Sequence, residues 1–573
     1  MKHTKVMRKA IIAFVMIHFC CFSYAQLSTN ELPVGYNLDL NLAKAIRSGV
    51  SFIKTPVLDM ATIEKEDLED EEYDMPPRFG YSHKVNYDIS NSGTWRELPN
   101  GDKLWQLGIV CPNALSVNIL YDKFWIPEGG KLFIYSADKQ HSIGAFTSRN
   151  NKGDSVKIRG FASGLVYSDS IVLEYYQPKE VTTDAIVSID YIVHGYRYIG
   201  LGNRDYGGSA SCMVNVNCPE GQDWQNEKKA VAVMLVNGDR ICTGTLLNTT
   251  SFDQKPYFLT ANHCFLGEHD AEDHPDLDNY SFYWNYESPG CLNPSIEPIP
   301  FSTSGATILA NNYISDFGLL RLTEDPKDIS GYTPYYAGWD HSGNSGNPGV
   351  CIHHPKGDLK KISTVYSTPL STDYYTNNEN INGLMWKVNW TNTNNGYSIV
   401  ENGSSGAALF NSNHRVIGQL HGGNSTCTNE DNEWFGKFNV SWTGNGNSNV
   451  HRRLDCWLDS INTGASTVKG YMMVSDSITL TDSIACMNNY CIVDGGVMTV
   501  SDEIMMEEGN KIVVESGGTF IIDGTNDGML TEDHLILKSG ATVKIINGGI
   551  IETMHDFYIP LGVKLFIENG KIY

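Results

Sequence analysis

Hydrophobic positions along this chain fall into three rhythms, and each predicts a different unit. Between residues 26 and 205, runs such as Leu115-Ser116-Val117-Asn118-Ile119-Leu120 and Lys131-Leu132-Phe133-Ile134-Tyr135 alternate or are rich in β-formers, with turn pairs at Gly129-Gly130 and Asn150-Asn151. That is strand spacing, so this unit is expected to be mostly β. Between 206 and 465, many short apolar runs are cut by Gly, Asn, Ser and Pro clusters, which predicts an all-β barrel or sandwich. Arg453-Leu454-Asp455-Cys456-Trp457-Leu458 reads as a short helix near its end. Between 468 and 573 the pattern repeats itself. Lys511-Ile512-Val513-Val514-Glu515-Ser516-Gly517-Gly518 is echoed by Leu535-Ile536-Leu537-Lys538-Ser539-Gly540 and again by Leu561-Gly562-Val563-Lys564-Leu565-Phe566-Ile567. Strands with glycine corners at roughly 20 residues or slightly more predict a stacked β-solenoid, each coil burying its apolar face on the next.

Ahead of these units lies a secretory pattern. Lys2, Lys5, Arg8 and Lys9 form a positive start, and residues 10–22 are an apolar core too short to span a bilayer. Ser23-Tyr24-Ala25 then supplies small residues at a cleavage site, so residues 1–25 are expected to leave and the secreted chain to begin at Gln26. Cys20 lacks a good lipobox for a lipid anchor, and no other segment reads as transmembrane. The acidic stretch 64–74 reads as a solvated linker.

Charge and cysteine then narrow the classes. A net charge of -24 argues against nucleic acid, because nothing neutralises phosphates in bulk. An exported chain meets an oxidising compartment, where cysteines are better read as disulfides than as metal ligands. Cys212, Cys218, Cys242, Cys264, Cys291, Cys351, Cys427 and Cys456 form an even set in the middle unit. Cys486 and Cys491 sit close together in the tail, and Cys111 stands alone.

Three segments of the middle unit carry chemistry. Asn402-Gly403-Ser404-Ser405-Gly406 offers a nucleophile, and Leu259-Thr260-Ala261-Asn262-His263-Cys264 a base. Ile314-Ser315-Asp316-Phe317-Gly318-Leu319-Leu320 puts an acid in an apolar run between them. The order His, Asp, Ser is that of chymotrypsin-like double-barrel proteases. In this reading Ser405 needs His263 to take its hydroxyl proton. Asp316 fixes the imidazole tautomer. The N–H groups of Gly403 and Ser405 form the oxyanion hole, with glycine permitting the unusual backbone there. Cys242 and Cys264 staple the neighbouring strands beside the base.

Residues 209–465 resemble the lysyl endopeptidase family, secreted bacterial trypsin-like serine proteases. The resemblance rests on the triad and on further blocks. These are Cys212-Met213-Val214-Asn215-Val216-Asn217-Cys218-Pro219-Glu220-Gly221, Tyr283-Trp284-Asn285-Tyr286, Ala337-Gly338-Trp339-Asp340, Ile352-His353-His354-Pro355, Gly418-Gln419-Leu420-His421-Gly422-Gly423 and Ser441-Trp442-Thr443-Gly444. It implies a two-barrel chymotrypsin-like fold with His263, Asp316 and Ser405 as triad, and disulfides Cys212–Cys427, Cys218–Cys291 and Cys242–Cys264. Cys351 and Cys456 are extra, and by elimination pair with each other. His353 and His354 invite a zinc reading, but no third ligand is suitably spaced, so no metal is expected.

The resemblance also places the substrate-binding residues. Members carry an Asp shortly after the last disulfide cysteine that meets the substrate's lysine ammonium. Counting back from Gly436 puts Glu433 there, with Asp431 a second candidate. A carboxylate in a pocket favours a cation, since an uncompensated buried charge is costly. The family stacks a Trp on the His of the Leu-His-Gly-Gly strand; here His421, Gly422 and Gly423 are met by Tyr374 or Tyr375. Ser404 stands where trypsin-type enzymes carry an Asp that binds the freed N-terminus, so removal of a folded prodomain is the expected activation. Arg204, just before the family-like start, is a candidate processing site.

The sequence therefore predicts an all-β, secreted serine endopeptidase that cuts after Lys or Arg. It has a β-rich prodomain (26–205), a protease unit (206–465) and a β-solenoid-like tail (468–573). Polypeptide substrates and its own prodomain are the expected partners, with no cofactor, nucleic acid or membrane span. The tail is a spacer, an anchor or a glycan- or surface-binding element. Two other readings are a serine protease of another preference and a surface adhesin with a vestigial protease unit. Glu433 argues against acidic substrates, and the intact triad with its flanking glycines and disulfide against the adhesin.

Overall fold

A computed structural model describes residues 31–572 except 38–49, 73–74, 155, 198–207, 268–269, 274, 297, 347–348, 366, 375–379, 381, 430–432, 476, 481–488, 494, 501–510, 524–528, 532–534, 538–541, 547–549, 553–558, 560 and 569–570. The signal segment, Arg204, Tyr375, Asp431 and Cys486 lie outside the described residues.

The N-terminal unit is two β-sheets packed face to face. One runs in the order Phe52–Lys54, Lys103–Val110, Ser170–Gln177, Lys131–Ser136, Ser142–Phe146, with Thr94–Glu97 also on Lys103–Val110. The other runs Gly80–Asp88, Ile186–Gly195, Ser116–Trp125, Phe161–Ala162. Alternation puts Leu107, Ile109, Leu132, Ile134 and Leu173 of the first against Val117, Ile119, Tyr121, Val187 and Ile189 of the second in one buried core.

The acidic stretch is not a solvated linker. Met60–Glu72 is a helix, opened by Asp59, whose carboxylate accepts from the Thr62 hydroxyl at 2.8 Å. Its acidic residues meet arginines distant in sequence: Asp67 pairs with Arg78 (2.8 Å) and Arg197 (2.7 Å), and Asp70 with Arg240 (2.8 Å). A run of like charge reads as solvated only when such partners are invisible, as they are in one dimension.

The middle unit holds one closed six-stranded barrel, in the order Val231–Val236, Arg240–Leu247, Tyr257–Ala261, Phe317–Leu322, Phe301–Asn312, Asp276–Trp284. Its interior is a single cluster that includes Leu246, Phe258, Phe282, Trp284, Ile308 and Leu320. The second barrel expected from the sequence is instead a nine-stranded sheet. Its main path runs Lys361–Thr364, Val350–His353, Ala408–Phe410, Arg415–Gly423, Glu433–Lys437, Met385–Val388, Leu370–Thr372. The sheet curls until an isolated bridge joins Val365 to Trp390, with the Thr391 N–H donating to Thr364 O at 2.9 Å. Strands of three or four residues leave too little ladder to close by regular pairing.

The expected short helix is present at Asp455–Leu458. The C-terminal unit consists of parallel strands whose partners lie 18 to 23 residues apart, for example Met473 beside Cys491, Ser477 beside Val497 and Thr519 beside Thr542. They form one sheet of five strands and one of three, and four more join Tyr335–Tyr336 of the middle unit in a second five-stranded sheet. The unit is continuous with the middle one: Tyr471 pairs in a strand with Tyr336 and stacks on its ring at 4.7 Å. Among the described residues no helix is long and apolar enough to cross a membrane.

Candidate active site

The barrel brings the predicted base and acid together from the ends of adjacent strands. His263 follows strand Tyr257–Ala261, which pairs with Phe317–Leu322 directly after Asp316. The Asn262 N–H donates to Asp316 O and the His263 N–H to Asp316 Oδ1, both at 2.9 Å. His263 Nδ1 lies 2.7 Å from Asp316 Oδ2. Asp316 sits at φ +55°, an uncommon backbone for a residue with a side chain. That turn is held by its carbonyl and both carboxylate oxygens, and by Gln419 Nε2 donating to Ser315 O at 2.6 Å.

His421, which the sequence placed with the substrate, also touches this pair. Its Nδ1 is 2.6 Å from the same Oδ2 of Asp316. The Tyr374 ring lies edge-on to His421 at 4.1 Å. Burial alone would raise the Asp316 pKa, yet the facing His263 and then His421 carry it well below the carboxylate range. His263, Asp316 and His421 also lie close enough together to invite a metal reading. Spacings of 2.6–2.7 Å are those of N–H donors on a carboxylate; ligand atoms about 2 Å from one zinc stand about 3.3 Å apart.

Ser405 lies on the loop that faces this pair. Its carbonyl accepts from the Thr243 N–H at 2.9 Å, next to Cys242, which is bridged to Cys264 beside His263. The loop's shape depends on two glycines. Gly403 (φ +91°) and Gly406 (φ +85°) both adopt left-handed backbone, and a Cβ on Gly406 would lie 2.3 Å from Thr260 Oγ1. The N–H groups of Gly403 and Ser405 donate to nothing among the described residues, which leaves both for an incoming oxygen.

What holds the loop was only partly legible. Ser404 is buried with its Oγ 2.8 Å from His353 Nδ1, and His353 Nε2 is 2.8 Å from Ser363 Oγ. Burial, with Lys361 nearby, keeps the His353 pKa down at about 3, so the ring is neutral and bridges two hydroxyls. A neutral, hydrogen-bonded histidine thus holds Ser404. Sequence reasoning missed Glu401, which accepts from the Ala210 N–H at 2.8 Å and pairs with Lys356 at 2.8 Å. No motif marks it; only folding brings the start of this unit to the loop. His354 is held by Asp358 O at 2.9 Å.

Glu433 opposes Gly423 across the strand pair that carries His421, Gly422 and Gly423. It is 1% exposed. One carboxylate oxygen accepts from the Ser425 N–H at 2.9 Å, and the other has no partner among the described residues. Burial raises its pKa to about 7.

The three predicted disulfides are present: Cys212–Cys427, Cys218–Cys291 and Cys242–Cys264. The pairing of Cys351 with Cys456 is not. Cys351 is a buried thiol near Glu433, whereas Cys456 is exposed on the terminal helix, so elimination by count fails where geometry keeps two cysteines apart. Cys111 is a buried thiol in the core of the N-terminal unit.

A histidine–aspartate pair at the end of a closed barrel, beside a glycine-flanked serine, defines a domain of serine-protease type. Residues 206–436 match the family model described as the lysyl endopeptidase C-terminal domain, and in this segment the chain is similar to that family. A curated relative, the lysyl endopeptidase of Pseudomonas aeruginosa, is 28% identical over 304 residues, covering 49% of this chain and 61% of that protein. Among solved structures, the chain resembles the Rv3671c protease from M. tuberculosis in its active form (13% identity, TM-score 0.24, 41% of this chain and 89% of that one). It also resembles an HtrA-type protease, AlgW with tripeptide (14% identity, TM-score 0.25, 38% and 59%). Overlaps this slight add nothing to the barrel topology.

Proposed function

We propose that the chain is the precursor of a secreted serine endopeptidase that cuts after lysine or arginine. The observation that carries this reading is the His263–Asp316 pair beside the Ser405 loop, with two backbone N–H groups left undonated. Ser405 Oγ attacks the scissile carbonyl while His263 takes its proton. The carbonyl oxygen, now negative, is received by the N–H groups of Gly403 and Ser405. As the tetrahedral adduct collapses, the C–N bond breaks and His263 returns the proton to the leaving amine. Water, deprotonated by the same imidazole, then releases the acyl group and restores Ser405. Asp316 stays ionised throughout, and His421 meets the same carboxylate oxygen as His263.

Basic specificity rests on Glu433, whose unpartnered buried oxygen beside Gly422 and Gly423 suits an ammonium or guanidinium. Polypeptides are the substrates, and no cofactor takes part. We read the N-terminal sandwich as a prodomain, removed at the 198–207 junction, and the repeated parallel strands as a β-solenoid that holds the protease at a surface. Disulfide-bonded export fits both. Fluorophosphonate labelling tests the site: the processed chain is expected to be labelled stoichiometrically at Ser405, and an unlabelled but folded chain would refute an activated serine.

A further inference from the structure

The N-terminal unit does more than cover the barrel: it lays an extended segment, joined by an isolated bridge, beside the Ser405 loop. Pro77 O accepts from the Ile241 N–H at 3.0 Å, and the Phe79 N–H donates to Asp239 O at 2.9 Å. Between them Arg78 bridges Arg240 in antiparallel register. Arg240 Nη1 donates to Pro76 O at 2.8 Å, and its Nη2 to Asp70 at 2.8 Å. Helix Met60–Glu72 closes the arrangement, with Glu71 accepting from Asn402 Nδ2 at 3.1 Å. Asn402 is the residue before Gly403. A cleft of about 470 Å³ between this helix and the loop is lined by Glu64, Asp67, Ile241, Lys356 and Asn402, among others.

The position is where the leaving half of a substrate must exit. His263 protonates the leaving amine, and the Cys242–Cys264 bridge ties its neighbour to the residue after Ile241. Once the N-terminal unit departs, the edge Asp239–Ile241 keeps an unused N–H and C=O for strand addition. Among the described residues the Arg240 guanidinium donates to Pro76 O and pairs with Asp70, both of the N-terminal unit, so departure leaves this cation without Asp70.

On the reading given under the proposed function, we propose that the edge Asp239–Ile241 with Arg240 is a binding surface for extended acidic peptide on the leaving side of the scissile bond, and that residues 60–72 and 75–79 occupy it as a built-in inhibitor. The mature enzyme therefore prefers substrates with Asp or Glu shortly after the cut, and an excised 60–79 segment competes with them.

The probe is a fluorescent synthetic peptide of residues 60–79, followed by anisotropy on the full chain carrying Ser405→Ala. One sample is intact; the other is cleaved at the 198–207 junction and stripped of its N-terminal unit. Binding to the stripped chain is expected, at least tenfold tighter than to the intact chain, where the surface is filled. It should weaken tenfold or more with Asp70→Lys in the peptide and recover when Arg240→Glu is introduced opposite that change. Equal binding to both chains, no binding to the stripped chain, or indifference to Asp70→Lys would each overturn the surface. Catalysis is not required for this assay. A chain that binds the peptide but never hydrolyses a lysine anilide would instead overturn the proposed activity and leave the surface standing.

Discussion

Replacing Ser405 with alanine is expected to lower kcat by about 10⁴- to 10⁶-fold while leaving the fold intact, the magnitude usual when a triad nucleophile is lost and only binding and the oxyanion hole remain. The fold should persist because Ser405 is held through its carbonyl, which accepts from the Thr243 N–H at 2.9 Å, and not through its hydroxyl. Hydrolysis of a lysine anilide by the processed chain is the measurement, with the thermal transition as the folding control. A loss under tenfold would remove Ser405 from the chemistry. Asp316 sets a related expectation for pH. Its folded pKa lies below its unfolded one because His263 and His421 outweigh burial. Its contribution to stability is therefore complete above the ordinary carboxylate range of about 4 and drains away as the pH falls below it.

Glu433→Gln is expected to cut the kcat/KM ratio of lysine over glutamine substrates by about a hundredfold or more. Burying an ammonium without its counter-charge costs about 3–5 kcal/mol. The pH dependence makes the assignment specific. In the free enzyme burial lifts the Glu433 pKa to about 7, and kcat/KM reports free-enzyme ionisations. As the pH falls through about 7, Glu433 takes a proton and the lysine preference should fall by up to about tenfold per unit. Because the ratio compares two substrates on one triad, titration of His263 cancels. The variant's ratio should be flat with pH. Stability moves the opposite way: an acid with a raised folded pKa favours folding at low pH and disfavours it once charged. A basic ligand should therefore raise the melting temperature more at pH 8 than at pH 6, both about one unit from the Glu433 pKa. A flat ratio in the unmodified enzyme would place the specificity elsewhere.

Much of this site was legible in one dimension because its parts are local motifs. The His263, Asp316 and Ser405 segments each combine a reactive residue with the backbone that displays it, and the glycines at 403 and 406 were needed for the φ values they adopt. The three bridges followed from the family resemblance. The tail's glycine-cornered echoes gave a spacing near that of its parallel strand partners. What escaped the sequence is what joins distant segments. Residues 64–74 looked solvated because their partners Arg78, Arg197 and Arg240 come together only in the fold. The hold of His353 on Ser404, and of Glu401 on the start of the protease unit, spans 51 and 191 residues. The second barrel was inferred from kinship, whereas the two ends of its sheet meet through an isolated bridge between Val365 and Trp390 and the Thr391 N–H on Thr364 O.

The central claim is tested most directly by mapping every cut that the processed chain makes in a peptide library, beside its Ser405→Ala form. The account predicts cuts after lysine or arginine that vanish in the variant. Cuts after other residues, or the same cuts in both forms, would contradict it.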